Sequence, residues 1–230
     1  MTPSEQAWEA FARTDAEFYI STAAHEREGV ASSARFFSSG RRDAELILDQ
    51  TAPWLERRRA AVDFGAGVGR VALTIARDFG EVVAVDSSPT MLARLREHCD
   101  RGCVSNVRTV LAGDRWHEHV TADLLYSTHV FQHIADEDAI RSALERARDC
   151  LDVTGVAYLH FDTRPRSLLY EVRNRVPDPL LPPLWRRDIR RIRRSRVRLI
   201  ELLADADLRI VREVSPDSAD QAFVVVPRSQ

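Results

Sequence analysis

The sequence predicts an α/β fold: a mostly parallel sheet with helices on both faces. Three observations point to it. Between residues 60 and 161, short apolar runs alternate with amphipathic stretches of helical period. The first run, Ala60–Phe64, breaks into glycines at alternate positions, Gly65, Gly67 and Gly69, directly ahead of an apolar helical stripe of Val71, Leu73, Ile75 and Ala76. The chain then closes on two strand-like runs joined by a Ser-Pro-Asp-Ser turn, which predicts a hairpin with one antiparallel strand.

The elements follow in order. Residues 3–58 carry no strand pattern. Ser4–Ile20 places Trp8, Phe11, Phe18 and Tyr19 at loosely helical spacing, Ser32–Gly40 reads as a loop, and Arg42–Glu56 reads as a helix burying Leu46, Ile47, Trp54 and Leu55. Strand, tight glycine turn and helix succeed one another at 60–76. Glycine suits that turn because its backbone angles are open to a residue without Cβ, and because a ligand can lie against the bare backbone. The helix beyond points its N–H groups at whatever occupies the turn.

The second strand, Glu81–Asp86, ends in an acid about 20 residues after the glycines, where a ribose-binding carboxylate belongs. Ser88-Pro89-Thr90 starts a helix to about His98, with proline well placed in its first turn. Val107–Ala112 is the third strand and Ala122–Ser127 the fourth. Asp136–Leu151 is an amphipathic helix with Ile140, Leu144, Ala147 and Leu151 on one face, and Thr154-Gly155 leads into a fifth strand, Val156–Phe161.

Residues 163–185 hold five prolines, which exclude a long regular helix. A loop of that length on the carboxyl side of a strand is expected to shape a substrate pocket. Arg186–Leu203 reads as an arginine-heavy helix with Ile189, Ile192, Leu199, Ile200 and Leu203 on its buried face, and Leu208–Val214 and Ala222–Val226 form the terminal hairpin.

Composition narrows the function. At 230 residues with 44% hydrophobic content, the chain can fill one core. Its net charge of −2 gives no general pull toward nucleic acid or an anionic membrane. All 33 basic residues are arginine, so a lysine base or Schiff-base nucleophile is excluded. Three cysteines, an odd count with no export signal, point to a reducing, cytoplasmic setting. Cys99 and Cys103 stand near each other without a second cluster, and no metal site is expected.

The run Val-Asp-Phe-Gly-Ala-Gly-Val-Gly-Arg, with Val-Val-Ala-Val-Asp-Ser-Ser after it, resembles the first two motifs of class I S-adenosylmethionine-dependent methyltransferases. The stretch Gly113-Asp114-Arg115-Trp116 is similar to the third block of that family. The stretch Asp-Leu-Leu-Tyr-Ser-x-x-Val-Phe-Gln-His-Ile, from Asp123, is similar to the fourth. The resemblance spans Ala60 to Phe161 and the general shape of the C-terminal hairpin.

The resemblance implies a Rossmann-like, seven-stranded sheet and S-adenosyl-L-methionine as cofactor, with S-adenosyl-L-homocysteine as its product. It puts the cofactor against Asp63, Gly65, Ala66, Gly67, Gly69 and Arg70, with Asp86 and Ser87 at the sugar. Met91 would pack on the adenine, Gly113, Asp114, Arg115 and Trp116 would surround its amino end, and Ser127 would stand by the methyl group. It also implies a division into a helical N-terminal lid, residues 1–58, and a methyltransferase domain, residues 59–230, whose substrate loop is 163–185. Tyr19, Phe36, Phe37 and Arg41 are the candidate lid residues.

Methyl transfer from a sulfonium is an in-line displacement, so the protein chiefly aligns the reactants. A hydroxyl or ammonium acceptor also needs a base. His129, just past the fourth strand, is the first candidate for base or positioning group, and His133 the second. The expected acceptor is a small molecule methylated on oxygen or nitrogen, an anionic one if the arginine stretch serves as a clamp. The competing readings are a cofactor-binding regulator without catalysis and an NAD(P)-dependent oxidoreductase; the G-x-G-x-G spacing speaks against the latter.

Overall fold

In the computed structural model, described residues are 6, 8–10, 12–13, 30–113, 115–177, 180 and 191–228. The central strand is β1 (Ala60–Phe64), flanked in parallel by β2 (Glu81–Asp86) and β4 (Ala122–Ser127). β3 (Val107–Leu111) extends the sheet beyond β2. On the other side β4 pairs with β5 (Leu151–Phe161), and β6 (Leu208–Val214) and β7 (Gln221–Pro227) complete the edge as an antiparallel hairpin. The resulting order is β3-β2-β1-β4-β5-β7-β6. Strand order reverses between β1 and β4, so their carboxyl ends part and leave a crevice, the usual ligand position in open α/β sheets.

Among the described residues the helices include α1 (Val30–Thr51), α2 (Ala72–Ile75), α3 (Pro89–Gly102), α4 (Glu137–Cys150), α5 (Leu168–Arg175) and α6 (Arg196–Asp205). The period-2 alternation of the strands sorts the core into two layers. Val62, Val85, Leu125, Ala157 and Leu159 face Ile140 and Leu144 of α4 and Leu199 and Leu203 of α6. Ala61, Val82, Leu124, Tyr126 and Val156 face Ala44 and Ile47 of α1 and Ile75 of α2. The stretch expected to act as a cap therefore also covers one face of the sheet.

Local chemistry fixes the ends. Ser88 caps α3 by accepting from Met91 N, with Pro89 in the first turn, and left-handed Cys103 (φ 53°) ends it. Asp123, buried in β4, accepts from the backbone N–H of Arg59 at 2.6 Å and from its guanidinium, which ties the start of β1 to its neighbour. Cys99 and Cys150 are buried free thiols and Cys103 is exposed.

Five expectations change. Ser32–Gly40, expected as a loop, belongs to α1. Ser38 and Ser39 turn their hydroxyls back to the carbonyls of Arg35 and Phe36, which accommodates them inside a helix. Packing supplies the rest: a Cβ on Gly40 would lie 2.1 Å from the Arg70 carbonyl oxygen, so helix and glycine loop touch backbone to backbone. That helix stops at Thr51, two residues before Pro53, and not at Glu56. The arginine-rich helix begins only at Arg196, capped by Ser195, because residues 191–195 run irregularly along the turn after β4. The proline-rich segment is interrupted by α5, and β5 begins at Leu151, five residues earlier than expected. Among the described residues no helix is long and apolar enough to cross a membrane.

Candidate functional site

The glycine turn sits on the tip of β2. Gly65 and Ala66 donate to Val85 O at 2.8 and 3.0 Å, and Gly67 donates to the Asp86 carboxylate at 2.8 Å. The other Asp86 oxygen accepts from Ser88 N at 2.9 Å. All three glycines have positive φ, at 85°, 55° and 86°. Burial pushes the Asp86 carboxyl above its ordinary range, although the backbone donors of Ser88 and Gly67 favour its charge. Ser87 supplies a third backbone donor to this carboxylate, whose two oxygens still have capacity for a hydroxyl donor. Ser87, the residue between, is half-buried.

Asp63 lies in the same crevice, buried at the end of β1 and in register with Tyr126 of β4. Desolvation raises its carboxyl to about 7; the neighbouring Asp86 charge adds to the rise, and Tyr126 and Arg70 oppose it. The Arg70 guanidinium is held by α1: it pairs with Asp43 at 2.6 Å, donates to Ser39 Oγ at 3.1 Å and lies 5.9 Å from the Phe36 ring centre.

The N-terminal part closes over these groups. Ala12, Phe36, Val68 and Met91 form one buried cluster with Phe37 against it, so Met91 and Phe36 meet across the glycine loop. Glu9 reaches the start of α3, accepting from Ser88 Oγ and Thr90 Oγ1 and, at 3.3 Å, from Thr90 N. Trp8 packs edge-on to His133, ring centres 5.0 Å apart. Arg41 is exposed on α1. Tyr19 and Asp114 lie outside the described residues. Their neighbours divide: Gly113 and Arg115 are exposed, the latter paired with Glu118, whereas Trp116 is buried against Phe64 with its indole N–H unpartnered.

Beyond β4 the chain turns sharply through His129, a non-glycine residue at φ 61°. Its backbone N–H donates to His160 Nδ1 at 3.3 Å, and the two rings lie 4.3 Å apart edge to face. His160, buried on β5, presents Nε2 to the Asp220 carboxylate at 3.6 Å. One ligand-type atom from each of His129, His160 and Asp220 lies within 4.8 Å of the others. Desolvation lowers His129 to about 2, helped by His160, Arg191 and Arg70 and opposed by Asp220. Desolvation, then Arg191 and His160, lowers His133 to about 4. Both imidazoles are thus neutral at physiological pH. Ser127 Oγ, Gln132 Oε1, His160 Nε2 and Nδ1 of both His129 and His133 are buried polar atoms without a hydrogen-bond partner, and in a folded interior such groups call for an explanation.

Sequence reasoning brought Asp63, the glycines, Asp86, Ser127, His129 and His133 to the carboxyl ends of β1, β2 and β4, where the structure also has them. It missed Glu9, His160 and Asp220, and took Arg191 only as one of the arginine stretch. His160 was legible in principle as a histidine inside an apolar strand; Glu9, Asp220 and the distinction of Arg191 from its neighbours depend on tertiary placement. The residues present fit the cofactor implied by the motifs: a carboxylate with free lone pairs at the sugar position, a glycine turn open to close approach, and an unpartnered buried hydroxyl at Ser127.

Known proteins share this fold. Residues 61–155 match a family described as a methyltransferase domain. Magnesium protoporphyrin IX methyltransferase from Synechocystis PCC 6803, solved with bound SAH, superposes with a TM-score of 0.66 at 14% identity, covering 96% of this chain and 98% of its own. An S-adenosylmethionine-dependent methyltransferase from Clostridium acetobutylicum gives 0.64 at 13% identity, covering 81% and 91%. The mitomycin 7-O-methyltransferase MmcR gives 0.59 at 18% identity, covering 98% and 69%. At these identities the likeness establishes the fold. No curated protein sequence matches the chain. The chain thus shares the fold of solved S-adenosylmethionine-dependent methyltransferases, and its residues 61–155 are similar to a methyltransferase domain.

Proposed function

We propose that the chain methylates an oxygen or nitrogen atom of a small-molecule acceptor, with the reaction centre past the carboxyl end of β4. The bound cofactor supplies a methyl group already activated on a sulfonium. The residues at hand have three tasks. Asp86, fixed between Gly67 N and Ser88 N, holds the sugar hydroxyls. Asp63, Gly65, Ala66, Gly67 and Gly69 line the tail, with Arg70 behind them clamped to Asp43. Met91, Gly113, Asp114, Arg115 and Trp116 flank the base.

His129 is the candidate base or positioning group. Its neutral imidazole can take a proton, and the Asp220 carboxylate opposes the effects that hold the ring neutral. His133, capped by Trp8, packs beside it. The observation that carries this reading is the set of unpartnered buried polar atoms past β4, Ser127 Oγ and the histidine nitrogens above all, which a bound acceptor would satisfy. The leader, 1–58, with Tyr19, Phe36, Phe37 and Arg41, and the segment 163–185 form the acceptor's walls. Three free thiols fit a cytoplasmic enzyme.

The test is a screen of metabolite pools with methyl-labelled cofactor. Label is expected in a small molecule, and His129→Ala should lower kcat at least about tenfold while cofactor affinity holds. Label appearing only in protein or nucleic acid would overturn the small-molecule reading, and an unchanged kcat would remove His129 from the reaction.

A further inference from the structure

Among the described residues, the arginine run after the proline-rich segment separates into side chains with structural partners and one without. Arg193 donates to Pro165 O at 2.8 Å and stacks 4.8 Å over the Tyr170 ring. Arg194, buried, donates to the carbonyls of Phe131 and Ala135 at 3.1 and 3.3 Å and also to that of Ile134. Arg196 grips Glu213 at 2.6 Å, and Arg198 pairs with Glu137 at 3.0 Å and Glu201 at 2.8 Å. Among the described residues the Arg191 guanidinium has no hydrogen bond and no ion pair, although it is half-buried and desolvation lowers its pKa.

Its place is fixed. Ile192 N donates to Gln132 O at 2.7 Å and Arg194 N to Asp162 O at 3.1 Å, so residues 191–194 bridge the turn after β4 and the end of β5. The Arg191 charge acts directly on both His129 and His133. The nearby acids are engaged elsewhere: Asp162 binds Arg164 through both oxygens at 3.0 and 2.6 Å, and Asp220 faces His160. A desolvated cation without a partner is costly, and evolved interiors pair them.

Building on the small-molecule reading above, we propose that Arg191 is the acceptor's anchor, and that the acceptor carries a carboxylate or phosphate group gripped by this guanidinium beside His129. The fork of N–H donors suits either oxyanion. The anion would lie against Arg191 with the atom to be methylated toward Ser127 and His129.

The experiment uses full-length protein saturated with S-adenosylhomocysteine, with benzoate, phenyl phosphate and neutral benzamide as probes. Imidazole NMR signals of His129 and His133 report occupancy. At least one anion should shift both signals saturably, the stronger naming carboxylate or phosphate, while benzamide should bind at least about tenfold more weakly. Arg191→Gln should weaken the anion about tenfold or more and leave S-adenosylhomocysteine affinity unchanged, and Arg191→Lys should recover part of the loss. Silent anions, equal binding of benzamide, or an unaltered response in Arg191→Gln would overturn the proposal. Failure of S-adenosylhomocysteine to bind at all would instead strike the underlying site, so the two failures are distinguishable.

Discussion

His160 accepts the backbone N–H of His129 through Nδ1 at 3.3 Å, across the gap between β5 and the turn after β4. That bond holds His129 in a left-handed conformation, φ 61°, which a non-glycine residue adopts at a cost. It also fixes the His160 tautomer and aims Nε2 toward Asp220. His160→Phe keeps the ring volume and strands the His129 N–H. Urea unfolding should show a loss of about 1–3 kcal/mol, and kcat should fall more than the cofactor Kd rises. An unchanged urea midpoint would mean that the bond contributes nothing.

Asp63 makes stability depend on pH. Its folded pKa, about 7, lies above the ordinary carboxyl value of 3.8, chiefly through desolvation. The folded state therefore holds this proton more tightly than the unfolded chain. The Asp63 contribution is fully present below about pH 4 and is lost as pH rises through about 7. Asp63→Asn, which mimics the protonated carboxyl, should flatten the change in urea midpoint between pH 5 and pH 8. The same pH slope in both proteins would show that Asp63 ionises without penalty.

Glu9 has the opposite sign. Desolvation works to raise its pKa, but hydrogen bonds from Ser88, Thr90 and Arg13 prevail and lower it to about 2 from 4.5. Its contribution is present above about pH 4.5 and lost as pH falls toward 2. Glu9→Gln should speed amide exchange at Thr90 and Met91 severalfold at pH 7, with less effect at pH 3. Identical exchange at pH 7 would release the N-terminal segment from α3.

Two glycine substitutions give contrasting tests. At Gly65 (φ 85°) a Cβ would lie 2.0 Å from Val130 Cγ2, so Gly65→Ala combines backbone strain with a clash; it should cost upwards of about 2 kcal/mol and impair cofactor binding. At Gly113 nothing lies within 4 Å of a new Cβ. Gly113→Ala should stay within about 0.5 kcal/mol of wild type. Equal midpoints for the two variants would contradict the packing of the glycine turn on Val130.

Much of this could be read from residue order because it is local. The β1 run, the alternate glycines and the acid ending β2 are contiguous patterns whose geometry follows from backbone chemistry, and they located the crevice. The same holds for α4, whose Ile140, Leu144 and Ala147 all face the core. What escaped reading is set by distant contacts. Gly40 and the serines around it look like a loop until Arg70 packs against them. The arginine run looks uniform until each guanidinium meets its partner, after which only Arg191 stands apart among the described residues. Asp220 sits in a hairpin turn of ordinary composition, and its value comes from His160 across the sheet.

The central claim is that Asp86 closes a cofactor site at the carboxyl end of β2. Isothermal titration of S-adenosylhomocysteine into wild type and Asp86→Asn tests it most directly. Wild type should bind with one site per chain, and the variant should bind more weakly by about 1.5–3 kcal/mol, the worth of charge-assisted bonds to the sugar. Equal affinities, or no binding by the wild type, would contradict it.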